Sequence, residues 1–213
     1  MAHKSLVAFA VLGLVLVLPR SVNADLIING SFETPNVGAG FGIFPNGGVP
    51  GWTSNNNETE IDNSNGAVNM PNYDGVQNLE LNGNTFDTIS QTVNGLTVGQ
   101  SYVLKFAYGN RPGSGYEQTS VFFGGALVAA DDSNNTAPGT WTTHTVTVTA
   151  TATSEVLSFA AVDTSANGGF GNLGNEIDGV SLNAAVPEPA SLTLLGLGAL
   201  GLAGRALRRR KVG

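Results

Sequence analysis

Residues 101–108 alternate Tyr102, Leu104, Phe106 and Tyr108 with Val103, Lys105 and Ala107, so a bulky face lies opposite a smaller, more polar one. A strand half-buried on one side has this pattern, because successive side chains point to opposite faces. The stretch TWTTHTVTVTATAT from Thr140 repeats it, with Val146 and Val148 on one face and Thr145, Thr147 and Thr149 on the other. Runs rich in Val, Thr, Phe or Leu recur at 76–82, 87–93, 119–128, 155–163 and 176–182, with Gly, Asn and Pro clustered between them. About seven to nine strands of this kind predict an all-β fold, a two-sheet β-sandwich of jelly-roll type. Cysteine is absent, so the sandwich has no disulfides. A body of roughly 160 residues needs none, because at that length a chain buries about two thirds of its unfolded surface.

The two ends are unlike this body. A basic start at Lys4, an unbroken apolar run over 6–18 and the small residues Val22, Asn23 and Ala24 give the three-part pattern of a signal peptide over 1–24. The body is then 25–185, one domain. It carries fifteen acidic residues against Lys105 and Arg111, a net charge of −13 that the whole-chain value of −7 conceals. Such a surface repels nucleic acid and anionic lipid and favours neutral or cationic partners.

From 186 the chain runs through Val186, Pro187, Glu188 and Pro189, then an apolar stretch interrupted by Gly196, Gly198, Gly201 and Gly204, then Arg205, Arg208, Arg209, Arg210 and Lys211. The apolar part, about 190–207, spans a bilayer only marginally, and the basic end belongs on the cytoplasmic side. Motif, apolar run and basic end in this order resemble a PEP-CTERM sorting signal over 186–213. The resemblance implies an exported protein of a Gram-negative bacterium, held in the inner membrane by this helix, then cut by an exosortase and passed to the cell surface or extracellular matrix. The exosortase and the secretion machinery are its implied partners.

A second resemblance covers the body. Asn29-Gly30-Ser31-Phe32-Glu33, Pro50-Gly51-Trp52, Gln77-Asn78-Leu79-Glu80-Leu81, Ile89-Ser90-Gln91, Gly99-Gln100-Ser101-Tyr102 and Ile177-Asp178-Gly179-Val180-Ser181-Leu182 are similar in order and spacing to a galactose-binding-like jelly roll. If Val180 and Leu182 point into the core, strand alternation puts Asp178 there too, where a carboxylate needs a partner. With so few cations, bound calcium would supply one. The resemblance implies a structural Ca²⁺ between Glu33 and Asp178. The alternative is that Glu33 accepts backbone hydrogen bonds and Asp178 faces solvent.

Sugars present an apolar face edged by hydroxyls, which suits aromatic rings with polar handles. Trp52, Tyr73, Tyr108, Arg111 and Tyr116 are the candidate ligand contacts, whereas Trp141, opening a strand, is expected in the core. No nucleophile elbow, zinc spacing or phosphate loop is present, and His144 reads as a packed or edge histidine. The chain therefore reads as a non-catalytic module for polysaccharide. A structural biofilm or surface protein without a ligand, or a glycan hydrolase with two carboxylates across a cleft, are the alternatives.

Replacing Pro187 and Glu188 together should leave export intact and abolish tail processing, because a protease acting there reads an extended, Pro-stiffened segment. Mass spectrometry of the surface-released protein checks this. Retention of Arg208, Arg209 and Arg210 in the mature wild type would refute the sorting assignment.

Overall fold

A computed structural model of the chain describes residues 24–185; the expected signal peptide (but for Ala24), the sorting motif and the apolar tail lie outside them. The described residues form eleven strands: β1 (Phe41–Phe44), β2 (Thr53–Ser54), β3 (Thr59–Asn63), β4 (Gln77–Glu80), β5 (Thr88–Asn94), β6 (Ser101–Asn110), β7 (Gln118–Phe123), β8 (Ala126–Asp132), β9 (Thr140–Thr149), β10 (Ser154–Ala161) and β11 (Glu176–Ala184). They make two antiparallel sheets facing each other, one ordered β1-β3-β4-β11-β6-β9 and the other β2-β5-β10-β7-β8. This is the expected all-β sandwich. Among the described residues no helix is long and apolar enough to cross a membrane.

The alternation on β6 sets the core. Tyr102, Leu104 and Phe106 face inward and meet Val148, Val146 and His144 of β9. From the other sheet come Ile89 and Val93, Leu157 and Phe159, and Val121 and Phe123. The run 119–128, expected as one strand, is a hairpin. Gly124 and Gly125 both take positive φ and form a two-residue turn between Phe123 and Ala126. At the edge where the sheets meet, His144 stacks on Phe106 at 4.8 Å and pairs with Asp131 of β8 at 2.7 Å.

The amino-terminal segment is fastened by side chains rather than by a strand. Gln91 exchanges two hydrogen bonds with the Ile28 backbone, and Gln77 donates to the carbonyls of Phe32 and Pro35. Gly30 lies against β11 so closely that a Cβ there would sit 1.9 Å from the Val180 carbonyl oxygen. This brings Phe32 into the core against Trp52, ring centroids 5.2 Å apart, and the Trp52 indole N–H donates to the Asn29 carbonyl.

Two sequence expectations are corrected here. Trp52 and Tyr108, expected at a ligand surface, are core residues at 1% and 0% exposure. Tyr108 belongs to the inward face of β6, while Trp52 closes the space between Phe32 and Phe159. Trp141, expected in the core, lies on the outer face of its sheet, because its partner Gly109 is one residue out of phase with Tyr108.

Trp52→Ala should therefore cost about 3–5 kcal/mol of stability and Trp141→Ala less than half of that, as read from denaturant midpoints. Similar losses for the two variants would invalidate the inward and outward assignment.

Candidate functional site

In the six-stranded sheet the cross-strand register separates two rows that differ by one residue. The inner row is Ile61, Leu79, Ile177 and Tyr108, all fully buried. The row beside it, on the outer face, is Glu60, Glu80, Glu176, Gly109 and Trp141. Three acids thus stand directly opposite one another on neighbouring strands, an arrangement that costs energy wherever the charges are kept. Asp62 joins them, since Glu60, Asp62 and Glu80 offer carboxylate oxygens within 4.8 Å of one another.

This outer face is covered by the chain itself. Residues 64–76, between β3 and β4, cross it and bury Val68 and Met70. Gly109 makes room for them, as a Cβ there would lie 2.6 Å from the Trp141 ring and 2.7 Å from Met70. The Trp141 indole donates to the Pro71 carbonyl at 2.7 Å, and the Tyr73 hydroxyl bonds Thr143 at 3.0 Å. Tyr73 and Trp141 pack with ring centroids 5.7 Å apart and tilted by 45°. Tyr73 remains 41% exposed and Trp141 half-buried, so the pair forms an aromatic platform beside the acidic row.

Burial decides the electrostatics of the row. Desolvation raises the Glu60 carboxyl to about 8, with Asp62 adding to the shift and Arg111 opposing it. Glu80 is raised to about 9 by burial and by Asp62, and Glu176 is pushed well above the usual range by burial and by Glu80. Asp62 is raised as well, again by burial. Arg111, expected at a ligand surface, turns under the loop and pairs with Glu80 at 2.5 Å. Burial works against its charge, but Glu80, Glu176 and Asp62 together raise its affinity for the proton.

Beside the row lies a second buried network. Asn82 and Asn175 both donate to one oxygen of Glu117, Thr119 donates to Asn175, and the Phe170 N–H reaches the other Glu117 oxygen. Desolvation raises Glu117 to about 7 against these donors. Tyr116, next to it, is half-buried with its hydroxyl donating to Asp132 at 3.1 Å.

The expected metal pair takes a different part. A β-bulge between Asp178 and Ser181, with Gly179 at φ 58°, shifts the alternation of β11 by one residue. Val180 and Leu182 point inward as expected, but Asp178 points outward, level with Ala107, and is buried there by residues 73–75. Its oxygens accept from the N–H groups of Asp74 and Gly179, while Glu33 accepts from those of Val76 and Gln77. The two carboxylates clamp the same segment from either side, and backbone donors point at three of their four oxygens. That donor set does not fit a calcium ion, which needs oxygen ligands around it.

Comparison with known proteins places the chain. A family model described as HpiC1-like, HpiC1 cyclase, matches residues 24–160, more than half of the sequence. The chain belongs to this HpiC1-like family. It also carries the PEP-CTERM protein-sorting motif, matched over residues 185–210. Halomucin of Haloquadratum walsbyi is 30% identical over 167 residues, which are 74% of this chain but 2% of halomucin. The chain therefore spans a small fraction of that relative. Among solved structures, a family 35 carbohydrate-binding module from Clostridium thermocellum is 16% identical, covers 68% of this chain and 98% of its own, and has a TM-score of 0.45. The C-terminal family 22 carbohydrate-binding module of Clostridium thermocellum Xyn10B is 13% identical, with 71% and 98% covered and a TM-score of 0.47. For this member of the family, the match to residues 24–160 includes Glu60, Asp62, Glu80, Arg111, Tyr73 and Trp141 but stops before Glu176 and Asp178.

Of the residues singled out in the sequence, Tyr73 alone is an exposed aromatic on this face. The row Glu60, Glu80, Glu176 was not expected there, although Glu80 between the buried Leu79 and Leu81 marks a carboxylate on the opposite side of a buried strand.

Glu117 holds a proton in the folded chain up to about pH 7 that the unfolded chain releases near 4.5. Its contribution to stability is complete below 4.5 and is lost as pH rises to 7, with a slope of up to about 1.4 kcal/mol per pH unit. Glu117→Gln should flatten the fall of melting temperature across that window, in chelator-treated protein. An unchanged slope would contradict a buried, protonated Glu117.

Proposed function

We propose that this protein is an exported cell-surface or matrix protein whose sandwich binds polysaccharide, without catalysis, on the outer face of its six-stranded sheet. The observation that carries the reading is the Tyr73–Trp141 pair. Two rings tilted against each other, fixed by hydrogen bonds to Thr143 and Pro71, offer an angled apolar surface edged with hydroxyl and carbonyl groups. A pyranose ring stacks on such a surface while its hydroxyls meet the edge. The threonine row of β9 extends the polar edge through Thr143, Thr145 and Thr147, all exposed.

The sorting motif supports export, and in this reading an exosortase cuts near Glu188 after the tail has held the chain in the inner membrane. An exopolysaccharide of the producing cell is the proposed ligand. The buried carboxyls argue against a hydrolase, since they cluster beneath a loop rather than facing each other across an open cleft. A second reading, proton-driven cyclisation, is favoured by the family description and by Glu60, which stays protonated near pH 7 and lies at the margin of the cover.

On a glycan array, the wild-type protein should bind a subset of polysaccharides. Tyr73→Ala and Trp141→Ala should each weaken that binding at least about tenfold, the loss expected of one stacked ring. Glu60→Gln should leave it unchanged. Full binding by both aromatic variants would remove the platform from consideration, and loss of a cyclisation activity in Glu60→Gln would favour the second reading.

A further inference from the structure

One end of the sandwich differs in charge from the rest of it. This end is made of the turns 95–100, 124–125 and 150–153, together with residues 24–26 and 184–185. The three turns contain no Asp, Glu, Lys or Arg. Among the acids of the body only Asp25 and Glu155 lie here, and backbone donors occupy both. Glu155 is buried and accepts from the N–H groups of Thr151 and Ala152, while Asp25 accepts from those of Ile27 and Leu182. An otherwise strongly acidic domain thus has one nearly neutral end.

The tip of that end is apolar and held in place. The Gln100 N–H donates to the Thr97 carbonyl at 3.0 Å and Gly99 takes φ 81°, so Val98 leads a tight turn. The turn is anchored from inside: Leu96 is buried and donates its N–H to the Thr153 carbonyl, and the Thr97 N–H donates to the Tyr102 hydroxyl. Val98 is left 59% exposed. Val156 and Leu127 are exposed near the first residues of β10 and β8, which start at the same end, and Thr97 and Thr153 add exposed hydroxyls.

We propose that this neutral end rests on the surface of a bilayer containing anionic lipid while the tail holds the chain there, with Val98 entering the headgroup layer. The inference rests on the membrane-held stage of the proposed function. The Ala185 N–H still bonds the Ser101 carbonyl, so the domain grips the chain right up to the sorting motif. Only residues 186–189 then precede the apolar stretch, a reach of at most about 14 Å. Since the polar layer on one side of a bilayer is about 5–7 Å deep, the end stands no more than roughly 9 Å clear of the headgroups, about one Debye length at physiological salt. An acidic end would be repelled at that range. A neutral end with an apolar tip and hydroxyls beside it is free to settle, its valine among the lipids and its threonines among the headgroups.

The chain has no cysteine, so a single introduced one carries a unique label. The full chain with Val98→Cys, or with Thr85→Cys in the exposed turn between β4 and β5 at the opposite end, is labelled with an environment-sensitive fluorophore. Both are reconstituted into vesicles of phosphatidylcholine and phosphatidylglycerol and floated. A quencher attached to the lipid headgroups should remove most of the emission at position 98 and none at 85. Adding Thr97→Glu and Thr153→Glu, at two exposed sites, should abolish the quenching at 98 with little change in melting temperature, and molar salt should restore it. A residue with only a structural role would not give that salt-dependent rescue. Floated protein with no quenching at 98, or with equal quenching at 98 and 85, would overturn the proposal and leave the membrane-held stage standing. Quenching that survives the two glutamates at low salt would overturn it too, because contact would then owe nothing to the neutral end. Absence of the chain from the floated vesicles would overturn both the proposal and the membrane-held stage.

Discussion

Along β3, β4 and the adjoining ends of β11 and β6 the six-stranded sheet is buried on both faces, and the register of these strands decides what each face contains. Ile61, Leu79, Ile177 and Tyr108 fill the sandwich, while Glu60, Glu80 and Glu176 meet the loop that crosses the back. A slip of one residue in β3, β4 or β11 would exchange a core aliphatic for a carboxylate. Such a slip would cost burial on one side and hydrogen bonding on the other. The pairing is therefore specified twice, once by the apolar contacts and once by Arg111, Asn78 and the Gly174 N–H, which recognise the acids where they stand.

The cover over the acids depends on glycines for steric reasons. Gly109 leaves space for Met70 and the Trp141 ring, and Gly179 both turns the β11 bulge and leaves space for Tyr73, whose ring would lie 2.6 Å from a Cβ. The bulge places Asp178 where it can hold Asp74. One left-handed residue thus links three features: the inward return of Val180, the outward turn of Asp178 and the seating of the platform. Glu33 completes the arrangement from the amino-terminal segment, so the cover is held at its far end by two carboxylates from opposite ends of the domain.

Much of the sandwich was legible because alternation is a local signal. Residues 101–108 and 140–149 are paired along their whole length, and Tyr102, Leu104 and Phe106 face the core as their spacing requires. The short strands β1, β2 and β3 were not legible, since Thr59–Asn63 alternates acids with one isoleucine and looks like a solvated loop until a cover is placed over it. The candidate site escaped for the same reason. Glu60, Glu80 and Glu176 are separated by 20 and 96 residues in sequence, and only sheet order makes them neighbours. Asp178 was read with the wrong face because a single-residue bulge reverses every inference drawn from parity beyond it. Trp52 and Trp141 exchanged roles because a tryptophan's type does not say which side of a sheet it will occupy.

The described ends of the domain lie together. Leu26 donates its N–H to the Leu182 carbonyl, Asp25 accepts from Leu182, and Ala185 bonds Ser101 at the start of β6. The acidic row is at the other end of the same strands, opposite Gly109 on β6 and at Glu176 on β11. Eight residues of extended β11 separate Glu176 from Ala184, about 26 Å at the usual rise of a strand. A chain attached to any surface through residue 186 onward thus carries its own spacer: the long axis of the sandwich lifts the acidic row nearly the thickness of a bilayer's core away from the point of attachment. Release by cutting the tail would leave that end of the domain unchanged, so the tethered and the freed protein would present the same face.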